Sequence, residues 1–179
     1  TIAAYDLLNE PCGSSEKNLK KIVLKCYKEI RKNDDNHIVI FPGHTSGIDF
    51  YQNIKSVKLS NVIYTMHFYP GFFGWGSATP YVHAEFLLEG LPNWVSKMEK
   101  FNSPLLIGEF NVVLKDAGGG EMMRRYYDFY ESLNWPATMW SYKVLDATGG
   151  VGDGTWGMVT NENDISYVDL KTATYNEIR

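Results

Sequence analysis

Five short apolar runs recur along the chain, separated by longer stretches of mixed character: Ile2 to Leu8, His37 to Phe41, Val62 to Phe68, Leu105 to Phe110 and Ala137 to Tyr142. They are short and almost continuously apolar, which fits strands covered on both faces. The stretches between them carry helical spacing. Ser14 or Ser15 caps a helix to about Lys32, with Leu19, Ile22, Val23, Cys26, Tyr27 and Ile30 on its apolar side. Residues 83–101 read as helix, broken or kinked near Pro92. A helix over about 121–134 puts Met122, Tyr126, Phe129 and Leu133 on one face, and 169–178 reads as a closing helix. Asn33-Asp34-Asp35-Asn36 and Pro42-Gly43 are turns. Residues 43–61 are irregular, with at most a short helix near 48–54, and 69–82 and 143–164 read as loops. Strands alternating with helices at this spacing predict βαβ units and a parallel sheet.

Composition removes several classes of function. Lys plus Arg is 17 against 21 for Asp plus Glu, a formal charge of −4, which argues against nucleic acid as a partner. No apolar run approaches the roughly 18 residues of a membrane span. Hydrophobic residues make up 44%, enough for a real core. Aromatic residues, at 15%, exceed what that core needs, so some are expected to line a site. Thr1 leads directly into an apolar run with no charged-then-apolar leader, so the sequence reads as beginning inside a domain or as trimmed upstream. Cys12 and Cys26 allow one disulfide but are sparse for a disulfide scaffold, and no Cys/His spacing resembles a zinc site.

The strand ends hold the chemistry. Four of the five apolar runs end in residues that packing does not require: Asn9-Glu10-Pro11, His67-Phe68-Tyr69-Pro70, Gly108-Glu109-Phe110-Asn111 and Trp140-Ser141-Tyr142-Lys143. All fall at carboxyl ends of predicted parallel strands, the face where such sheets and barrels hold their sites. Cleaving a glycosidic bond takes one carboxyl to protonate the leaving oxygen and a second to attack or to activate water. Glu10 and Glu109 are candidates for that pair. The bland alternative is two solvated loop glutamates, but neither sits in a helix cap or an ion-pair pattern.

At these residues the chain resembles glycoside hydrolase family 5, the cellulase family of retaining (β/α)8 TIM-barrel enzymes. The resemblance rests on Tyr5-Asp6-Leu7-Leu8-Asn9-Glu10-Pro11, Met66-His67-Phe68-Tyr69, Ile107-Gly108-Glu109-Phe110 and Met139-Trp140-Ser141-Tyr142-Lys143, in order and at successive strand ends. It implies that residues 1–179 are a partial α/β barrel domain, approximately strands 4 to 8. It implies Glu10 as acid/base and Glu109 as nucleophile. Asn9 would hydrogen-bond the sugar 2-hydroxyl, His67 would stand near the acid/base, Tyr69 would donate to the nucleophile, and Trp140 would floor the −1 sugar site. The family's early-strand Arg and His have no counterpart here.

The implied reaction is retaining hydrolysis of a β-linked polysaccharide or oligosaccharide such as β-glucan, by double displacement. Carboxyls about 5–5.5 Å apart serve that route. No metal or organic cofactor is needed, and the resemblance implies a secreted or extracellular protein. The other reading is an inactive partial barrel that binds carbohydrate, or that acts only with another half. Five strands would leave two open sheet edges, so a missing N-terminal half-barrel or a second copy is the expected partner.

Further residues have two readings each. Phe72, Phe73, Trp75 and Trp156 are extra sugar platforms or loop packing. His44 is a sugar contact on the rim or a structural histidine. Lys143 meets a hydroxyl or pairs with Asp146. His37 and His83 read as surface residues, and Asp49 and Asp116 as plain loop acids. The run from Lys17 to Lys28 reads as a solvated helix face.

Overall fold

A computed structural model describes residues 2–52, 54, 57–73, 77–112, 118–142 and 156, together with the backbone of 159–160 and 169–170. The elements, in chain order, are β1 (Ala4–Asp6), α1 (Glu16–Ile30), β2 (Ile38–Pro42), β3 (Val62–Phe68), α2 (Pro80–Glu85), α3 (Leu91–Phe101), β4 (Leu105–Phe110), α4 (Gly119–Ser132), β5 (Ala137–Met139), β6 (Val159–Thr160) and β7 (Asp169–Leu170). A single 3-10 turn, Asp49–Tyr51, follows β2. One sheet has the strand order β1-β2-β3-β4-β5. Among the described residues no helix is long and apolar enough to cross a membrane.

The chain divides into two compact units, the first made of Thr1–His67 with Lys97–Ile107. Here β1 pairs with β2 in parallel, Tyr5 opposite Val39, and β2 with β3, Phe41 opposite Tyr64. Helix α1 starts where Ser15 accepts a hydrogen bond from the Asn18 N–H, an N-cap that satisfies one of the four open donors of the first turn. Leu19, Val23 and Tyr27 are its buried face, while Ile22 is 47% exposed, so the apolar stripe is narrower than the spacing predicted. Arg31 ends the helix. Its guanidinium donates to the carbonyls of Asp34, His37, Ser60 and Asn61 and lies over the Tyr27 ring. The helix end and the starts of β2 and β3 therefore share one cation.

The turn before β2 is built on Asp34. Its carboxylate accepts from the His37 and Asn36 N–H groups, the Tyr5 hydroxyl and the His37 ring, which holds it well below the usual carboxylate range. His37, expected on the surface, is half-buried by that pairing. The core of this unit is aromatic. Phe41 is fully buried against Tyr27, Tyr51 and Tyr64 at 5.4–6.0 Å between ring centroids. The Tyr51 hydroxyl donates to the Pro42 carbonyl, and burial pushes the Tyr64 hydroxyl up to about 12.

The second unit is Phe68–Ser96 with Gly108–Arg179. Phe110 packs against Tyr126, Tyr127 and Tyr130 of α4, and Phe68 against Phe86 and Trp94. The expected irregularity near Pro92 lies one turn earlier: Phe86–Gly90 is a π turn between α2 and α3. Proline has no N–H and its ring crowds the carbonyl four residues back, here that of Leu88, so the preceding turn widens. His83, expected on the surface, is fully buried. Helix α2 begins at Pro80, capped by Thr79, and that phase turns His83 inward. The predicted closing helix over 169–178 is corrected at its start only: Asp169–Leu170 forms a strand antiparallel to Val159–Thr160, and 171–179 lie outside the described residues. A strand partner outweighs local helical spacing there. Cys12 and Cys26 are both free thiols, so the allowed disulfide is not formed.

Candidate active site

In the first unit, Asn9 and Glu10 occupy the exposed loop after β1. Glu10 has φ = +41° although it is not glycine. That conformation costs on the order of 1–3 kcal/mol, and the following Pro11 restricts the backbone further. Strain of this kind persists where the surroundings over-determine it, and it clusters at functional positions. The Glu10 carboxylate lies 2.8 Å from Nδ1 of His67, near the end of β3. His67 is 15% exposed at its side chain and Glu10 54%, so a sheltered imidazole holds an open carboxylate.

His44 lies just past β2. Its Nε2 donates to the Ser14 carbonyl at 3.0 Å, and its Nδ1 accepts from the Ser46 backbone N–H at 3.3 Å. Both nitrogens are engaged within the chain, so the ring ties the loop after β2 to the loop after β1. Ser46 in turn donates to Glu16. Asp49 pairs with Lys97 at 2.7 Å.

In the second unit, Glu109 is the penultimate residue of β4 and is half-buried. The Tyr69 hydroxyl donates to its Oε2 at 2.6 Å. Tyr69 is itself buried, with its ring 5.5 Å from Trp156 and 5.6 Å from Phe73. Trp140 follows β5 and is 36% exposed, its ring edge-on to Trp156 at 5.5 Å. Trp156 is buried, also against Phe72. It thus backs Tyr69, Phe72 and Trp140 and is not itself an open platform. Phe73 is 77% exposed and adopts φ = +50°. Trp75, Lys143, Asp146 and Asp116 lie outside the described residues.

Sequence reasoning missed two residues beside this group. Asn111, next but one to Glu109, is buried and donates from its amide to the carbonyls of Trp140 and Trp156. His83 donates from Nε2 to the Val112 carbonyl at 2.8 Å and accepts at Nδ1 from the Tyr126 hydroxyl at 3.0 Å. Burial lowers the His83 pKa, opposed by that bond to Val112, so the ring is neutral. A buried amide always demands partners, but nothing local in the sequence marks Asn111 or His83 as buried.

A model of the cellulase family (glycosyl hydrolase family 5) matches residues 1–145. A beta-xylosidase of Phanerodontia chrysosporium is 28% identical over 186 residues, covering 94% of this chain and 37% of that protein. Among solved structures, Thermotoga maritima Cel5A in complex with mannotriose superposes with a TM-score of 0.69 at 18% identity, over 98% of this chain and 59% of that one. The catalytic domain of Thermobifida fusca endoglucanase Cel5A gives 0.60 at 19% identity, over 98% and 55%. The five sheet strands and their helices are thus part of a (β/α)8 barrel, and the chain spans 59% and 55% of those two structures.

Proposed function

The chain belongs to the cellulase family, glycosyl hydrolase family 5, and on that footing we propose that the whole protein is a retaining β-glycoside hydrolase acting on a β-linked polysaccharide or oligosaccharide. The observation that carries this reading is the carboxylate of Glu109, held at a strand end by the Tyr69 hydroxyl at 2.6 Å. A nucleophile that must form a bond to an anomeric carbon gains from a fixed orientation and from a donor on its second oxygen.

In the proposed reaction Glu109 attacks the anomeric carbon. The bond to the leaving oxygen breaks as Glu10 gives that oxygen its proton. Water then attacks the same carbon, Glu10 takes a proton from the water, and the bond to Glu109 breaks. His67, 2.8 Å from Glu10, orients the acid/base. Asn9 meets the 2-hydroxyl of the sugar, and Trp140 stacks under its ring. His44 shapes the rim through Ser14 and Ser46. Trp75 remains a proposed platform.

Thermotoga maritima Cel5A is solved in complex with mannotriose and with cellobiose, and the curated relative is called a beta-xylosidase. Glucan, mannan and xylan linkages are therefore the substrates to try. Because the chain spans about three fifths of the first of those structures, the proposal includes a completing partner, either further barrel strands or a second copy. A secreted or extracellular location belongs to the same proposal.

The test is release of the aryl group from aryl β-cellobioside, β-mannoside and β-xyloside. Turnover of one of them, lost in Glu10→Gln, supports the reading. Turnover that survives Glu10→Gln contradicts it. Binding without any turnover favours the alternative, a carbohydrate-binding partial barrel.

A further inference from the structure

We propose that Asn111 is a positioning residue that locks Trp140 and Trp156 to the end of the strand carrying Glu109. Its mechanistic consequence rests on the reading of Glu109 and Trp140 given above, whereas the lock itself rests on geometry alone.

Asn111 is 3% exposed. A carboxamide offers two N–H donors and one carbonyl acceptor. Here the amide nitrogen reaches the Trp140 carbonyl at 2.7 Å and the Trp156 carbonyl at 2.8 Å, while Oδ1 accepts from the Val112 N–H at 2.7 Å. One side chain thus joins three separate pieces of chain. Two backbone bonds close the same junction: Trp140 N–H to the Phe110 carbonyl at 3.0 Å, and Ser141 N–H to the Trp156 carbonyl at 3.1 Å. His83 anchors the junction from behind by donating to the Val112 carbonyl, and Tyr126 of α4 fixes His83.

The consequence runs through rings. Trp156 packs on Tyr69, and Tyr69 donates to Glu109. Trp156 also packs edge-on to Trp140, the half-exposed ring at the end of β5. Moving the two carbonyls that Asn111 holds would therefore move both the exposed ring and the support behind Tyr69. Aspartate has the same shape but presents an oxygen to two carbonyl oxygens. Only its protonated form regains one donor.

The experiment labels the full chain with 15N-tryptophan and follows its five indole signals, assigned by single Trp→Phe changes. In Asn111→Asp at neutral pH the Trp140 and Trp156 signals should shift, while Trp94 and Trp135 hold. On acidification the two should move back toward their wild-type positions in Asn111→Asp but not in Asn111→Ala. If Asn111→Asp fails to fold, Asn111→Ala, which removes both donors without adding charge, should still shift Trp140 and Trp156. Wild-type signals at both rings, or equal shifts at all five, would overturn the proposal. In parallel, kcat/KM toward an aryl β-cellobioside should fall at least about tenfold in Asn111→Asp, since small misplacements near the chemistry cost this much. A shifted Trp140 with unchanged kcat/KM would remove the catalytic consequence. A completed wild-type barrel with no turnover would count against the enzyme reading, and the indole signals would still decide the lock.

Discussion

The Tyr69 hydroxyl donates to Glu109 Oε2 at 2.6 Å, across forty positions of sequence. A bond to a charged acceptor is worth about 1.5–3 kcal/mol, roughly twice a neutral one. Tyr69→Phe keeps the ring that packs on Trp156 and deletes this bond. It is expected to lower kcat by about ten- to a hundredfold with a much smaller change in KM. Steady-state kinetics together with a thermal melt would check this, because loss of packing would instead appear as a lower Tm.

Arg31 supplies four donated bonds to carbonyls at 2.9–3.2 Å and covers the Tyr27 ring. Lysine keeps the charge but has no planar fork to span them. Arg31→Lys should destabilise the fold by about 1–3 kcal/mol, read from urea unfolding. An unchanged midpoint would mean that the shared cation adds nothing.

How much of this was legible in the sequence depends on where the cause lies. Val62–Phe68 and Leu105–Phe110 are strands with the boundaries their apolar runs predicted, because a strand covered on both faces has a purely local signature. Helix α1 starts at its serine cap for the same reason. The contacts of Glu10 with His67 and of Tyr69 with Glu109 join residues at strand ends, where topology alone brings distant positions close. His83 and Asn111 had no such signal. A lone histidine at a helix start and a lone amide after a strand look solvated until their partners in α4 and in the segments of Trp140 and Trp156 are known. The strand at Asp169–Leu170 was missed because its partner, not its own residues, decides it.

His83 makes stability depend on pH. Burial lowers its pKa below the ordinary 6.5, opposed by the bond to Val112. Below about 6.5 the unfolded chain therefore binds more protons than the folded one. The stability contributed is complete above that value and is lost as pH falls toward and through the folded-state pKa. Urea unfolding should show a weaker fold at pH 5 than at pH 7.5, and His83→Gln should flatten that slope. An equal slope in the variant would remove His83 as its source.

Gly71 has φ = +89°, and a Cβ there would overlap the backbone of Ala78 and Ser77. Backbone cannot yield as a side chain does. Gly71→Ala is expected to cost at least about 2 kcal/mol, from the strained φ and the overlap together. Gly118→Ala is a useful control, with a similar positive φ and nothing within reach of the new methyl. Thermal melts should rank Gly71→Ala clearly below it.

The central claim is that Glu109 forms the covalent bond to sugar. The most direct measurement adds azide to the Glu109→Gly variant of whatever assembly turns over an aryl β-glycoside, and identifies the product's anomeric configuration. With the nucleophile gone, azide takes its place on the opposite face from the leaving group, so an α-glycosyl azide is predicted. A β-glycosyl azide, or undiminished hydrolysis without azide, would contradict the assignment.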